Sequence, residues 1–304
     1  MTSKTDSLTS GSQLRQRPER MVVLVTGAST GIGRCIIERL ASHGHFVYAG
    51  ARRNSDLEAL AEISGVEPMR LDVTSPEDIS ATRQAIEDRG QGLHGLVNNA
   101  GVLASGPILA SSVDELSFLM DANVYGPWRM VQAFAGLLAA SKGRVVNIGS
   151  INGIAPSPGY AAYFMSKYAV EAFTDILACE LSSAGVDVSL IEPGSFRSRL
   201  IQNQLQRTGA GKDNASFIAQ APDPGPVAAA VELALLETIP RRRYLVAANE
   251  REARYAIESH LQRLAELNDS QEFEYSSDKL VEMLVAALGR AAERDSRPRP
   301  WPGT

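Results

Sequence analysis

The chain has 304 residues, of which 44 % are hydrophobic and 21 % are charged, a balance typical of globular proteins with a sizeable core. The formal net charge of -5 argues against a general attraction to nucleic acid. No apolar run reaches the roughly 18 residues of a membrane span, the N-terminus lacks a secretory signal, and only two cysteines are present, so we expect a cytoplasmic protein without a membrane span.

Composition divides the chain into a central domain and three flanking parts. Residues 1–20 are polar and are predicted to be a disordered tail, as is the segment 290–304, which is rich in Arg and Pro. Residues 21–249 are predicted to form a single domain, within the length range of one α/β unit. Residues 250–289 carry two apolar stripes at helical spacing and are predicted to be a helical extension.

Strand and helix signals alternate along the central domain. Met21–Thr26 is short, apolar and β-branched, which is typical of a strand buried on both faces, and Gly31–His43 has apolar residues at helical spacing. This alternation predicts an α/β fold with a doubly wound, Rossmann-like parallel sheet of about seven strands. The further predicted strands are His45–Ala51, Pro68–Val73, Leu93–Asn98, Arg144–Gly149, Asp187–Glu192 and Tyr244–Ala247.

One long polar segment, Gly194–Pro224, interrupts the alternation. A segment of this kind inside a compact domain is often a lid or binding loop, and a disordered insertion is the alternative. In doubly wound sheets, ligands bind at the carboxyl ends of the strands. The motifs described next follow predicted strands and therefore lie where this rule places a ligand.

The loop between the first strand and the first helix has the pattern Gly-x-x-x-Gly-x-Gly. Glycine lets a diphosphate approach the main chain, and the N-terminus of the following helix offers free N–H groups. Between a buried strand and an amphipathic helix, the pattern predicts a dinucleotide site, with a simple tight turn as the alternative. The residues assigned to this site are Gly27, Ser29, Thr30, Gly31, Ile32 and Gly33.

The end of the second strand predicts which nucleotide binds. An NAD site usually has Asp or Glu there, which accepts hydrogen bonds from the adenosine ribose. This chain has Arg52 and Arg53 instead. Because a guanidinium pairs well with phosphate, we expect Arg52 to bind the 2′-phosphate of NADP(H), with NAD(H) as the alternative cofactor. The opposing interpretation is that both arginines only begin an exposed helix.

Tyr163 and Lys167 lie four residues apart and therefore share one side of a predicted helix. A free Tyr titrates near pH 10, and a nearby ammonium lowers its pKa. The pair could therefore exchange a proton during the interconversion of a carbonyl and an alcohol. Alone, the pair is a weak signal, because so short a pattern also arises by chance.

Further motifs accompany the pair in a fixed order. Ser150 ends a predicted strand 13 residues before Tyr163. With these motifs, the chain resembles the short-chain dehydrogenase/reductase family, in its short core-domain type, from Met21 to about Ala247. The other motifs that carry the resemblance are Asn98-Asn99-Ala100-Gly101, Asn123-Val124-Tyr125-Gly126 and Pro193-Gly194.

The resemblance implies a role for each catalytic motif. Tyr163 would be the general acid/base, and Lys167 would hold the nicotinamide ribose and lower the pKa of Tyr163. Ser150 would form a hydrogen bond to the substrate oxygen, and Asn123 would hold a water molecule in the proton relay. Hydride would pass between the nicotinamide C4 and the carbonyl carbon, with the reactants held together in one cleft.

The resemblance also implies the remaining nucleotide contacts. Ser198 would contact the carboxamide, where the family usually has Thr, and Pro193 and Gly194 would border the nicotinamide. The contacts implied for adenine and its ribose are Asp72, Val73, Asn99, Ala100 and Gly101.

The resemblance implies an NADP(H)-preferring oxidoreductase that interconverts a ketone or aldehyde and an alcohol. The run Val186–Ser198 is similar to the retinoid- and steroid-handling branch, which implies an apolar small-molecule substrate. No metal site is expected, because none of the four histidines has a zinc-type spacing.

Family members commonly assemble through the helix that bears the Tyr-Lys pair, so we expect a homo-oligomer. Two other functions stay open. A nucleotide-sugar epimerase or dehydratase also carries Tyr-x-x-x-Lys, although its glycine loop typically reads Gly-x-x-Gly-x-x-Gly. A non-enzymatic nucleotide sensor would be marked by loss of the Tyr or the Lys, and both are present here.

Overall fold

One parallel sheet forms the centre of the computed structural model, which describes residues 18–208, 221–269 and 272–292. Its strands are β1 (Val22–Val25), β2 (Phe46–Ala51), β3 (Val66–Arg70), β4 (Gly95–Asn98), β5 (Arg144–Ile148), β6 (Asp187–Pro193) and β7 (Arg243–Val246). The seven strands lie in the order β3-β2-β1-β4-β5-β6-β7, which confirms the predicted doubly wound topology. The order reverses between β1 and β4, so their carboxyl ends form the switch point where such folds bind ligands.

Helices cover both faces of the sheet. They are α1 (Gly31–Ser42), α2 (Asn54–Ala61), α3 (Pro76–Arg89), α4 (Val113–Met120), α5 (Gly126–Ser141), α6 (Ala161–Leu181), α7 (Leu200–Thr208), α8 (Gly225–Leu236), α9 (Glu250–Asn268) and α10 (Ser277–Ala292). A π-helical turn, Asp121–Tyr125, joins α4 to α5. Every residue of β1, β2, β4 and β5 is buried, which explains why these strands are nearly continuous apolar runs.

Two apolar layers, one on each face of the sheet, make up most of the core. Ile36 of α1 and Val231 of α8 belong to the first layer. Phe134 of α5 and Leu177 of α6 belong to the second. The sheet is thus fixed on both faces, and its carboxyl edge can carry loops of demanding geometry.

The predicted strand Pro68–Val73 was misplaced, because β3 spans Val66–Arg70. The strand ends early because the Asp72 side chain accepts hydrogen bonds from the N–H and the hydroxyl of Thr74, at 3.0 and 2.8 Å, and so closes a turn. The following helix begins at Pro76, and the Ser75 hydroxyl caps it by accepting from the Asp78 N–H at 3.1 Å. This turn places Asp72 near the end of β2.

The segment predicted as a lid contains α7, and its residues 209–220 lie outside the described residues. Residues 1–17 and 293–304, which hold most of the two predicted tails, also lie outside them. The C-terminal tail was predicted to start too early, since α10 continues through Arg290 to Ala292. None of the helices described is both long enough and apolar enough to cross a bilayer.

Candidate active site

Close packing at the glycine loop brings the ends of β1 and β4 together. Gly27 and Gly31 have φ angles of +63° and +56°, which non-glycine residues rarely adopt. A Cβ on Gly33 would lie 2.3 Å from the Gly27 carbonyl oxygen and 2.4 Å from Nδ2 of Asn99. The loop therefore leaves no room for a side chain at Gly33.

Hydrogen bonds from Thr26 and Asn99 hold this arrangement. The Thr26 hydroxyl accepts from the N–H groups of Asn99 and Ala100 at 3.0 and 2.9 Å. Nδ2 of Asn99 donates to the carbonyl oxygens of Thr26 and Gly27, both at 2.9 Å. Sequence reasoning missed Thr26, although its place as the last residue before the glycine pattern was a usable signal.

The N-terminus of α1 faces this loop with its main-chain donors available. Thr30 is the N-cap residue, and its side chain makes no capping hydrogen bond. The first N–H groups of a helix lack partners within the helix and attract anions. The residues between Gly27 and Gly33 therefore form a cradle whose chemistry suits a diphosphate.

Arg52 and Arg53 have different surroundings at the end of β2. Arg53 bonds to Asp56 on its own helix through Nε at 2.9 Å and Nη2 at 3.0 Å. Arg52 is 64 % exposed, and its Nη1 lies 3.6 Å from Oδ2 of Asp72. Burial raises the pKa of Asp72, but hydrogen bonds from Thr74 and the charge of Arg52 outweigh it and lower the pKa overall. Arg52 thus has the looser pairing of the two guanidinium groups.

Tyr163, Lys167 and Ser150 meet at the end of β5. Tyr163 and Lys167 lie on α6 and are 7 % and 8 % exposed. The Lys167 ammonium lies 5.7 Å from the centre of the Tyr163 ring and donates to the Ile148 carbonyl at 2.9 Å. The Ser150 hydroxyl is near enough to the Tyr163 hydroxyl to affect its pKa. The hydroxyls of Ser150 and Tyr163 can therefore both form hydrogen bonds to the same substrate oxygen.

Burial controls the titration of this pair. It raises the pKa of Tyr163 to about 12, against the opposite effect of the Ser150 hydroxyl. It lowers the pKa of Lys167 to about 8, although the charge of Glu171 acts in the other direction. Desolvation thus dominates the pKa of Tyr163, and the expectation that Lys167 lowers this pKa stays a prediction. The Tyr163 hydroxyl is therefore protonated at neutral pH.

Asn123 is buried in the π-helical turn, where its side chain connects two elements. Its Oδ1 accepts from the Val102 N–H at 2.7 Å, and its Nδ2 donates to the Val102 carbonyl and the Ser166 hydroxyl, both at 3.0 Å. Ser166 in turn donates to the Tyr163 carbonyl at 2.7 Å. Both amide hydrogens of Asn123 are used, so a water held by this residue would have to bond to one of its oxygens. Sequence reasoning missed Ser166, which lies three residues after Tyr163.

The loop after β6 packs beside the glycine loop. A Cβ on Gly31 would lie 3.2 Å from the Cα of Ser198. Gly194 donates its N–H to the Val246 carbonyl at 2.8 Å, and Pro193 is buried as the last residue of β6. Pro193 therefore ends β6, and the loop that follows it carries Gly194 and places Ser198 beside Gly31 of the predicted diphosphate cradle.

Val73 and Gly101, which are also predicted to contact adenosine or its ribose, pack against the start of α5 and the π-helical turn. Val73 is 6 % exposed, and a Cβ on Gly126 would lie 2.7 Å from its Cγ2. A Cβ on Gly101 would lie 3.2 Å from Oδ1 of Asn123. Gly101 thus lies between the predicted adenosine site and the π-helical turn.

A buried carboxylate cluster lies one helical turn beyond Lys167. Glu171 and Glu192 lie close enough to interact, and burial, reinforced by the charge of Glu192, raises the pKa of Glu171 to about 8. Arg243 pairs with Glu171 through Nη2 at 3.1 Å and with Asp175 at 2.9 Å. Sequence reasoning missed this cluster, although Glu171 lies four residues after Lys167.

Apolar side chains flank the catalytic group. Ile151 and Phe164 are each 8 % exposed, and the Tyr160 ring stacks on Phe164 with centroids 6.3 Å apart and an interplanar angle of 12°. On the loop after β5, the Pro156 carbonyl accepts a hydrogen bond from the Tyr255 hydroxyl. The surroundings of Tyr163 are therefore mainly apolar.

Comparison with known proteins gives consistent relationships. The family model described as short chain dehydrogenase matches residues 21–208. A 3-oxoacyl-acyl-carrier-protein reductase of Vibrio cholerae is 35 % identical over 223 residues, which are 70 % of this chain and 88 % of that protein. The uncharacterized oxidoreductase YbbO of Escherichia coli is 33 % identical over 251 residues, covering 81 % of this chain and 91 % of its own.

Solved structures agree on the fold. A short-chain dehydrogenase from Streptomyces avermitilis has a TM-score of 0.71 and 30 % identity, and the match covers 84 % of this chain and 97 % of that one. A short chain dehydrogenase from Burkholderia cenocepacia, solved in complex with NADP, has a TM-score of 0.66 and 24 % identity, with 81 % and 95 % covered.

Proposed function

The chain belongs to the short-chain dehydrogenase family and is an oxidoreductase of alcohol or carbonyl groups, and from this premise we propose that it transfers hydride between NADP(H) and a ketone, aldehyde or alcohol, with Tyr163 as general acid/base. One observation carries the proposal. The side chains of Tyr163 and Ser150 come together at the end of β5, near enough for Ser150 to affect the pKa of Tyr163, and the buried ammonium of Lys167 lies beside them. Two hydroxyls and one cation are the groups that a reacting carbonyl oxygen needs.

The residues of the cradle fit a dinucleotide. The packing at Gly33 excludes a side chain, and the N-terminus of α1 offers donors to a diphosphate. When bound, the cofactor supplies or accepts the hydride. We assign the diphosphate to Gly27, Ser29, Thr30, Gly31, Ile32 and Gly33, the adenosine half to Arg52, Asp72, Val73, Asn99, Ala100 and Gly101, and the nicotinamide half to Pro193, Gly194, Ser198, Tyr163 and Lys167.

The chain's own residues would move the proton. In the reducing direction, the Tyr163 hydroxyl, which is protonated at neutral pH, gives its proton to the carbonyl oxygen. Ser150 donates a second hydrogen bond to that oxygen and orients it. Lys167 holds the nicotinamide ribose and stabilises the phenolate left on Tyr163, and Asn123 fixes the helix through Ser166.

Preference for NADP(H) rests on Arg52. Arg52 is exposed at the end of β2, and its contact with Asp72 is long. A guanidinium in that place can form a charge-assisted pair with a 2′-phosphate. Arg53 is a weaker candidate, because it already makes two hydrogen bonds to Asp56.

We expect Arg52→Ala to raise the Kd of NADPH by about 10- to 100-fold, since one charge-assisted pair contributes about 1.5–3 kcal/mol. The Kd of NADH should change by less than about threefold, because NADH lacks the 2′-phosphate. Fluorescence titration of both cofactors measures the effect, and Arg53→Ala is the matched control. Equal losses for NADPH and NADH would move the phosphate contact away from Arg52.

The substrate proposal is an apolar carbonyl compound. The apolar surroundings of Tyr163 and the similarity of Val186–Ser198 to the retinoid- and steroid-handling branch both favour it. The test is NADPH oxidation with a panel of ketones and aldehydes graded from polar to apolar. We expect turnover that rises with apolar character; intact NADPH binding without turnover of any compound would favour a nucleotide sensor instead.

We further propose a homo-oligomer in the cytoplasm. Ile176 on α6 and Trp128 on α5 are 59 % and 54 % exposed, although both are large and apolar. Cys35 and Cys179 are free thiols, as suits a reducing compartment.

The proposed homo-oligomer can be tested by measuring the mass of the protein in solution. Light scattering should report a mass at least twice that of one chain, and Ile176→Asp should reduce it to one chain by placing a charge in the interface. Glu180→Asp, which leaves the apolar side of α6 unchanged, is the control. A monomeric wild-type protein would contradict the proposal.

A further inference from the structure

The first turn of α9 reaches the loop after β6. The carboxylate of Glu252 accepts from the Ser195 N–H through Oε1 at 3.3 Å and Oε2 at 3.2 Å. Oε2 also accepts from the Ala248 N–H at 3.0 Å. One side chain of the C-terminal extension therefore ties the loop after β6 to the end of β7.

The contact with this loop is close. A Cβ on Gly194 would lie 2.0 Å from Oε2 of Glu252 and 3.0 Å from the Ala248 nitrogen. The carboxylate thus occupies the space that a side chain at Gly194 would need. Glu252 is itself held, because its N–H donates to Oδ1 of Asn249, the N-cap residue of α9, at 3.0 Å.

The same helix also touches the loop that carries Ser150. Ala256 is 1 % exposed and packs with Ile151 and Ile154 in one apolar cluster. The Tyr255 hydroxyl donates to the Pro156 carbonyl. Two consecutive loops of the candidate site, after β5 and after β6, are therefore fixed from outside by a single helix.

We propose that α9 is a working part of the active site and that Glu252 is a positioning residue, which holds Gly194 and Ser195 in the conformation that receives the nicotinamide half of the cofactor. This inference rests on the proposed function, because it takes the loop after β6 to border the nicotinamide. A carboxylate suits the task, since its two oxygens accept from several main-chain N–H groups at once and hydrogen bonds to a charged acceptor are strong. The adenosine half is bound at the other side of the switch point, by residues that Glu252 does not touch.

The test compares two ligands that differ only in the nicotinamide ring. NADP⁺ contains it, and 2′-phospho-ADP-ribose contains the adenosine, the diphosphate and the second ribose without the nicotinamide ring. We expect Glu252→Ala to raise the Kd of NADP⁺ by about tenfold, to leave the Kd of 2′-phospho-ADP-ribose within about twofold, and to lower kcat. Glu252→Gln keeps one acceptor oxygen and should give an intermediate effect.

The matched control is Glu258→Ala on the same helix, whose carboxylate bonds to Arg254 at 2.7 Å on the exposed side. It should change neither Kd. Unchanged binding of 2′-phospho-ADP-ribose also shows that the Glu252 variants are folded. Equal losses for both ligands, or no loss for either, would overturn the positioning role while the proposed function stands. A wild-type protein that binds 2′-phospho-ADP-ribose but not NADP⁺, or neither ligand, would overturn the proposed function and this inference with it.

Discussion

Tyr163→Phe is expected to lower kcat by about a thousandfold and to leave the Kd of NADPH within about twofold. The change removes one hydroxyl from a buried position and leaves the ring, which packs with Phe164 at a centroid distance of 6.3 Å. The proton that the substrate oxygen needs would then have no donor of suitable geometry, while the cradle around Gly33 stays as it is. Ser150 would still donate a hydrogen bond to that oxygen, which is why some residual turnover is expected.

The measurement is steady-state NADPH oxidation with the best compound of the carbonyl panel, together with fluorescence titration of NADPH. Tyr160→Phe is the matched control, because Tyr160 lies one turn away, stacks on Phe164 and has no assigned proton role. It should keep most of the activity. Retention of most of the activity by Tyr163→Phe would refute the mechanism, whatever the control does.

The raised pKa of Tyr163 predicts how the rates of carbonyl reduction and alcohol oxidation depend on pH. Carbonyl reduction needs the protonated phenol, which persists across the neutral range because burial raises its pKa to about 12. Alcohol oxidation needs the phenolate as a base, so its rate should climb as pH rises toward that value. In both directions, Tyr163→Phe should abolish the pH dependence that this group causes.

Local sequence signals were sufficient where burial or spacing is itself local. The strands β1 and β4 were predictable because both of their faces are covered and their residues are therefore apolar. The strand β3 was misplaced because it is an edge strand whose residues are only partly buried, so it has no continuous apolar run. Pro68 is tolerated in it for the same reason.

Some residues of the candidate site can also be predicted from local spacing, and others cannot. Tyr163 and Lys167 were found because a helix of fixed pitch turns their spacing of four residues into proximity. Glu252 could not be found, because its partner Ser195 is 57 residues away in the chain. The Arg243–Glu171 pair spans 72 residues. Such pairs depend on how β6 and β7 are placed against α6 and α9, which no local pattern encodes.

The pKa of Tyr163 shows a second limit of motif reasoning. The Tyr-Lys spacing correctly brings an ammonium to within 5.7 Å of the ring centre. Spacing does not reveal how completely α6 and the end of β5 remove water from both groups, and desolvation raises one pKa while it lowers the other. Burial therefore acts against the charge on Lys167, and the ionised form of Glu171 opposes this effect only in part.

Lys167→Met is expected to reduce kcat by about a hundredfold or more at pH 7, because the positive charge beside Tyr163 is lost while a side chain of similar length still fills the space. The Kd of NADPH should rise as well, since Lys167 is proposed to hold the nicotinamide ribose. Lys142→Met is the matched control, because Lys142 ends α5 at the far end of the sheet from the site. A Lys167→Met variant with nearly full activity would contradict the assigned role.

We also expect Lys167→Met to change how the free energy of unfolding depends on pH, which the loss of a residue that does not titrate would not do. Burial lowers the pKa of Lys167 in the folded protein to about 8, from an ordinary value near 10.5 in the unfolded chain. Between these two pH values the unfolded state binds more protons than the folded state, so the free energy of unfolding rises with pH there. The gain is on the order of 3 kcal/mol in total, and it is absent below pH 8.

Urea unfolding of wild type and Lys167→Met from pH 7.5 to 10.5 measures this gain as a difference between the two proteins. The Met variant loses the hydrogen bond to the Ile148 carbonyl, but this cost is independent of pH and cancels in the slope. We therefore expect the stability of wild type relative to the variant to increase steadily across the interval. If the difference in the free energy of unfolding did not change with pH, Lys167 would have an ordinary pKa. The ammonium next to Tyr163 would then not be destabilised by its burial.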